Sequence, residues 1–121
     1  MKLIIAGSRD LELTLTQLDD ILEELKVPTE QVTEVVSGKA RGIDTLGELW
    51  AECRPDPLAI KEFPADWDTH GKSAGVIRNK QMAIYADAAV IIMKRGGSPG
   101  SKNMKDHMHR LKKPVYTYEF K

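Results

Sequence analysis

The sequence predicts an α/β protein with a Rossmann-like three-layer sandwich, in which a parallel five-stranded sheet of order 3-2-1-4-5 carries helices on both faces. Two observations lead to this prediction. Strand-type and helix-type segments alternate strictly along the 121 residues, which implies parallel pairing through right-handed crossovers. Residues 88–93 form a continuous apolar run, typical of a central parallel strand that is buried on both faces.

The strands are predicted from short β-prone runs bounded by turn residues. The first begins at the N-terminus, the second ends in Val35 and Val36, and the third is the weakest. The five predicted strands cover residues 2–6, 31–36, 58–63, 88–93 and 115–120.

The helices are predicted from apolar residues spaced three or four apart, as in Leu15, Leu18 and Leu22. Ser101 is the predicted N-cap of the last helix. Prolines stand in the connections that follow the helices. The predicted helices cover residues 11–26, 42–53, 72–85 and 101–112. With no internal repeat and no linker, residues 1–121 are expected to form one domain.

Composition limits the classes of function. The formal net charge is zero and aromatic residues make up 6% of the chain, and both observations argue against nucleic acid as a partner. The apolar start is too short for a signal peptide or a membrane span. Cys53 is the only cysteine, which fits a reducing compartment. A cytoplasmic protein without a membrane partner is therefore expected, and homo-oligomerisation is left open.

Glycine is concentrated in the loops that follow the strands, whereas proline occupies the loops that follow the helices. In open α/β sheets the strand ends form the ligand-binding edge, at the point where the strand order reverses. Each loop also leads into a helix start, where free N–H groups favour anions. The sequence thus predicts a phosphate site, most simply for a nucleotide, made by Gly7, Ser8, Arg9, Ser37, Gly38, Lys39, Arg41, Gly42, Asp44, Arg78, Ser98, Gly100 and Ser101.

Arg78 shares a helical face with Ala74 and Met82, which is the predicted inward stripe. A buried cation needs a partner. One interpretation is a ligand phosphate; the other is an internal salt bridge with Asp44 or Asp66.

Two further residues have alternative interpretations. Asp44 lies in the first turn of a helix, where its carboxylate either stabilises the helix dipole or contacts a ligand hydroxyl. Trp67 lies in a polar loop, where it either stacks on a base or covers the edge of the sheet.

Neither a metal site nor a bound cofactor is expected. His107 and His109 point to different sides of a helix, and no Cys/His cluster has zinc spacing. Gly71-Lys72-Ser73 ends like a nucleotide-binding P-loop, but Asp66 stands where that motif requires a glycine.

Several motifs together resemble the YspA-like branch of the SLOG superfamily, which includes the LOG phosphoribohydrolases and the DNA-processing protein DprA. The resemblance spans nearly the whole chain and implies a Rossmannoid domain that recognises nucleotides or nucleotide-derived ligands. It also adds Asn79 to the candidate ligand residues. The motifs are Gly7-Ser8-Arg9, the segment 37–44, Ala65-Asp66-Trp67, the segment 71–75 with Arg78-Asn79 and Met82, and the segment 98–101.

The sequence departs from the superfamily's patterns at two positions, one of the LOG enzymes and one of the YspA-like branch. Met104 stands about where LOG enzymes have a catalytic glutamate, whereas Arg78 matches the LOG arginine. Lys39 replaces a glycine that is frequent in the branch. The resemblance therefore implies ligand binding, in sensing or sequestration, rather than hydrolysis. Two alternatives remain: a phosphoribohydrolase or N-glycosidase that uses Asp44, Asp66 or Asp68, and a single-strand nucleic-acid binder like DprA.

Overall fold

The computed structural model describes all residues, 1–121, and confirms the predicted fold class. Five parallel strands form one sheet in the order β3-β2-β1-β4-β5. The strand order reverses beside β1, which pairs with both β2 and β4. The strands are β1 (Lys2–Gly7), β2 (Glu34–Ser37), β3 (Ala59–Glu62), β4 (Ala88–Met93) and β5 (Val115–Glu119).

Alternate residues of the central strands enter two separate cores, because successive side chains of a strand point to opposite faces. Leu3 and Ile5 of β1 pack under the first two long helices, whereas Ile4 packs under the last two. This arrangement places two of the four long helices on each face of the sheet. The helices are α1 (Leu15–Glu24), α2 (Ile43–Glu52), α3 (Trp67–His70), α4 (Ala74–Tyr85) and α5 (Pro99–Arg110).

The helix ends differ from the predicted ones for reasons of capping. α1 begins at Leu15 rather than at residue 11, because Thr14 and Gln17 form a reciprocal capping box. The prediction that Ser101 caps α5 is wrong. Ser98 is the N-cap, and its hydroxyl oxygen accepts a hydrogen bond from the Ser101 N–H. Pro99 then occupies the first turn, where its missing N–H costs nothing.

Two short helical segments were not predicted from the sequence. Residues Thr29–Gln31 form a 3-10 turn, which delays the start of β2 to Glu34. The loop after β3 contains α3, a helix of four residues that Asp66 caps by accepting the Thr69 N–H. A single helical turn is too short to produce a periodic pattern. No helix has both the length and the apolar character needed to cross a membrane.

Candidate functional site

A crevice opens at the carboxyl edge of the sheet, where the loops after β1 and β4 separate. The cavity within it has a volume of about 460 Å³, which is within the usual range of small-molecule sites. Most of the predicted ligand residues line it. They are Gly7, Ser8, Arg9, Arg41, Asp44, Arg78, Asn79, Ser98, Gly100 and Ser101.

Arg78 forms part of the floor of this crevice and is almost fully buried, at 8% exposure. Its Nη1 donates to the Gly38 carbonyl oxygen and its Nε donates to Asn79 Oδ1. No ion pair joins it to Asp44 or Asp66, so the salt-bridge interpretation in its direct form is wrong. Burial lowers the pKa of Arg78 and the Asp44 carboxylate opposes this effect. The guanidinium remains charged and retains donors that no protein group uses.

Gly38 lets Arg78 and Asp44 approach the backbone closely. A β-carbon at this position would lie 2.8 Å from Arg78 Nη1 and 2.9 Å from Asp44 Oδ2. Any larger residue would therefore push at least one of the two charged groups away from the loop. This close approach explains why the loop after β2 carries a glycine here.

Asp44 is a buried carboxylate at the start of α2, with 5% exposure. Its Oδ2 accepts the Ala40 N–H at 3.3 Å. Burial raises the pKa of Asp44 to about 6, although hydrogen bonds from the Ala40 and Gly38 backbone and the charges of Arg78 and Arg9 act in the opposite direction. The carboxylate thus fastens the loop to the helix and at the same time lines the crevice.

The raised pKa of Asp44 predicts a pH dependence of stability with an unusual sign. Between pH 4 and pH 6 the folded state binds more protons than the unfolded state, so stability falls as the pH rises. The free energy of unfolding of the wild type, relative to Asp44→Asn, should decrease by about 2 kcal/mol across this window. Urea denaturation of both proteins at several pH values measures the difference.

Asp66 supplies the control for that measurement. Its carboxylate is exposed and accepts hydrogen bonds from Thr69, which lower its pKa. The stabilisation by the Asp66 carboxylate is therefore present above its ordinary pKa and is lost as the pH falls. Relative to Asp66→Asn, the free energy of unfolding of the wild type should thus rise with pH, which is the opposite of the effect at Asp44. Equal profiles for the wild type and Asp44→Asn would contradict the assignment.

Cationic side chains surround the mouth of the crevice. Arg9 and Arg41 are exposed and form no ion pair. Lys94 also lines the cavity, but its Nζ lies 2.6 Å from Asp10 Oδ2. Neither Lys94 nor Asp10 was among the predicted ligand residues, although Asp10 directly follows the Gly7-Ser8-Arg9 motif. Arg9, Arg41 and Arg78 are the cations free to meet an anion.

The Lys39 side chain turns away from the crevice. Its Nζ contacts Glu48 Oε1 at 3.0 Å and Glu62 Oε1 at 3.5 Å, and its backbone φ is +60°. Ser37 is fully buried and donates to Glu48 Oε2. Lys39 and Ser37 therefore bind internal partners. Ser37 lines neither cavity, and Lys39 lines only a second cavity beside the crevice.

Gly42 and Asn79 fix the positions of the loops that line the crevice. A β-carbon on Gly42, whose φ is +76°, would lie 2.7 Å from the carbonyl oxygens of both Ser8 and Arg9. Asn79 Nδ2 donates to the Gly100 carbonyl oxygen at 3.3 Å and to Asn103 Oδ1 at 3.0 Å. These contacts fix the loops after β1 and β4 against α2 and α4, which positions the groups that face the crevice.

The start of α5 lines the crevice with Ser98, Gly100 and Ser101. Ser101 is buried, and its hydroxyl accepts a hydrogen bond from Ser98 Oγ at 2.9 Å. The Gly100 N–H lies in the first turn, where it has no acceptor within the helix. On the β1 side, Ser8 Oγ accepts the Lys94 N–H at 3.1 Å. Hydroxyl and N–H groups therefore line the same cavity as the cations.

Of the three carboxylates considered for hydrolysis, the structure places only Asp44 in the crevice. Asp66 caps α3, and Asp68 lies on the exposed side of the same helix. Met104 lines the cavity with an apolar side chain of 2% exposure. Nowhere do three His, Cys, Asp or Glu side chains come together as they would around a metal ion.

Comparisons with known proteins agree with the fold and the motifs. A family model described as the YspA, cpYpsA-related SLOG family matches residues 1–70. The Gene 61 protein of Mycobacterium phage D29 is 31% identical, over 97% of this chain and 95% of that protein.

Among solved structures, DNA processing protein A from Helicobacter pylori superimposes with a TM-score of 0.63 at 16% identity. The match covers 97% of this chain, which spans 64% of that longer one. The structure of that protein is described in terms of its binding of single-stranded DNA. The expectation that nucleic acid is an unlikely partner is corrected by this finding. A net charge of zero averages over the molecule, whereas cations collect at one edge of the sheet.

Proposed function

The chain belongs to the YspA, cpYpsA-related SLOG family, and from this premise we propose that its crevice binds the phosphate groups of nucleotides within single-stranded nucleic acid. The observation that carries the proposal is the group of three unpaired arginines, Arg9, Arg41 and Arg78, at the carboxyl edge of the sheet. Arginine suits phosphate because its planar fork can donate two parallel hydrogen bonds.

The shape of the site supports a chain-like ligand. The crevice adjoins a second cavity of about 320 Å³, and Arg9, Ala40, Arg41 and Arg78 line both. A ligand with successive phosphates could therefore follow the arginines from one cavity into the next. Single-strand binders commonly use a positively charged groove of this kind along the backbone. The likeness in fold to the Helicobacter pylori protein supports the same choice of ligand.

A free nucleotide is the second candidate, because the floor of the crevice is unusual. Asp44 and Arg78 lie side by side under a cavity of about 460 Å³. A ligand that presents a hydroxyl to the carboxylate and a phosphate to the guanidinium would satisfy both groups. This arrangement favours a small ligand that enters the crevice fully, whereas the line of exposed arginines favours a strand that crosses its mouth.

Fluorescence anisotropy with a labelled oligo(dT) of about 20 nucleotides tests the proposal. Binding should weaken as salt increases, and Arg41→Gln should reduce the slope of log K against log[salt] by about 0.7, the value for one phosphate contact with a single strand. Arg110→Gln is the matched control, since Arg110 is exposed at the far end of α5. Displacement of the strand by an equal concentration of mononucleotide would favour the second candidate. Absence of binding to either ligand would contradict both.

A further inference from the structure

The second cavity has an aromatic wall that phosphate binding does not explain. It is lined by Gly38, Lys39, Pro64, Ala65 and Trp67, together with the arginines it shares with the crevice. Trp67 is 51% exposed. The alternative that Trp67 merely covers the edge of the sheet is poorly supported, because a covering tryptophan would bury most of its ring.

The two tryptophans of the chain differ sharply. Trp50 is 3% exposed in the core, and its Nε1 donates to Asp19 Oδ1 at 2.8 Å. Trp67 forms no comparable hydrogen bond and stands on α3, the single turn after β3. One tryptophan thus stabilises the fold, whereas the other presents its ring to solvent at the edge where the strands end.

The Trp67 ring and the Arg78 guanidinium both approach Gly75. A β-carbon on Gly75 would lie 3.7 Å from Trp67 Cη2 and 3.8 Å from Arg78 Nη2. Both groups therefore border the same small space above Gly75. A phosphate bound by Arg78 would thus stand within one nucleotide of the indole ring, which is the separation that base stacking requires.

We propose that the second cavity is a base-stacking subsite, in which Trp67 receives the base of the nucleotide adjoining the phosphate held at Arg78. The inference rests on the proposed function and adds to it the part of the ligand that enters this cavity. No Asp, Glu, Asn or Gln side chain lines the cavity, so the carboxylate and amide groups that read the edges of cytosine and adenine are missing. Stacking on an aromatic ring accepts every base, and the subsite therefore receives single-stranded nucleic acid with little sequence preference.

Two oligonucleotides of equal length test the subsite: oligo(dT), and an abasic strand with the same phosphates. Trp67→Ala should weaken binding of oligo(dT) roughly 5- to 100-fold and leave binding of the abasic strand unchanged, whereas Trp67→Phe should retain most of the affinity. Binding of oligo(dT) should also quench tryptophan fluorescence in the wild type but not in Trp67→Phe. Buried Trp50 is the internal reference, and thermal melting checks that the variants fold.

The failures of the two proposals are distinguishable. If the wild type binds both strands equally and Trp67→Ala binds both as the wild type does, the stacking subsite is refuted and phosphate binding stands. If Trp67→Ala loses affinity for both strands to the same extent, the residue acts on the fold of the loop and the subsite is likewise refuted. If the wild type binds neither strand, the proposed function fails and the subsite fails with it.

Discussion

Replacing Arg78 with alanine is expected to lower the affinity for a phosphate-bearing ligand about 30-fold or more, the usual effect of losing one partner of a buried charged contact. The stability cost should be about 1–3 kcal/mol, because the Gly38 carbonyl and Asn79 Oδ1 each lose a hydrogen-bond donor. The absence of a direct ion pair with a carboxylate sets this limit, since a broken buried salt bridge would cost about 3–5 kcal/mol.

Arg78→Lys separates charge from geometry at the same position. Lysine retains the positive charge but loses the planar fork that donates two parallel hydrogen bonds. The affinity of Arg78→Lys for the ligand should therefore lie between those of the wild type and Arg78→Ala. Binding titrations and urea denaturation of all three proteins measure the two effects. A large loss of stability with near-normal affinity would show that Arg78 only supports the fold.

Replacing Gly7 with alanine is expected to destabilise the protein by about 3 kcal/mol or more, at the upper end of overpacking effects. The new β-carbon would lie 1.9 Å from the carbonyl oxygen of Ile92. That atom belongs to the backbone of β4 and accepts the Ser8 N–H, so the two central strands would have to separate.

Gly100→Ala is the matched control for Gly7→Ala. A β-carbon on Gly100 would meet no atom within 4 Å, and alanine is favoured in a helix by up to about 1 kcal/mol. This variant should therefore be as stable as the wild type or slightly more stable. Urea denaturation compares the two variants, and similar unfolding free energies for both would contradict the close packing of β1 against β4.

The parts of the fold that depend on periodicity could be predicted from the sequence. The alternation of strands and helices predicted the order of the sheet, and the stripe of Ala74, Arg78 and Met82 predicted that Arg78 points inward. The position of the crevice followed from the sheet order, because reversal beside β1 opens the edge between the loops after β1 and β4.

The features that the sequence could not predict depend on contacts between distant segments. Lys39 was predicted to be a ligand cation, but its ammonium group forms ion pairs with Glu48 of α2 and Glu62 of β3. The bridging role of Asn79 depends on α5, which lies far along the chain. Such pairs follow from packing in three dimensions and leave no periodic pattern in the sequence.

The most direct test of the phosphate crevice is backbone ¹H–¹⁵N NMR of the protein titrated with oligo(dT). We expect the largest shift changes in the amides of residues 7–9, 38–42, 98, 100 and 101, which lie in the loops around Arg78. Amides of α1 and of the opposite edge of the sheet should stay within the noise. Changes centred away from those three loops, or none at saturating strand, would contradict the account.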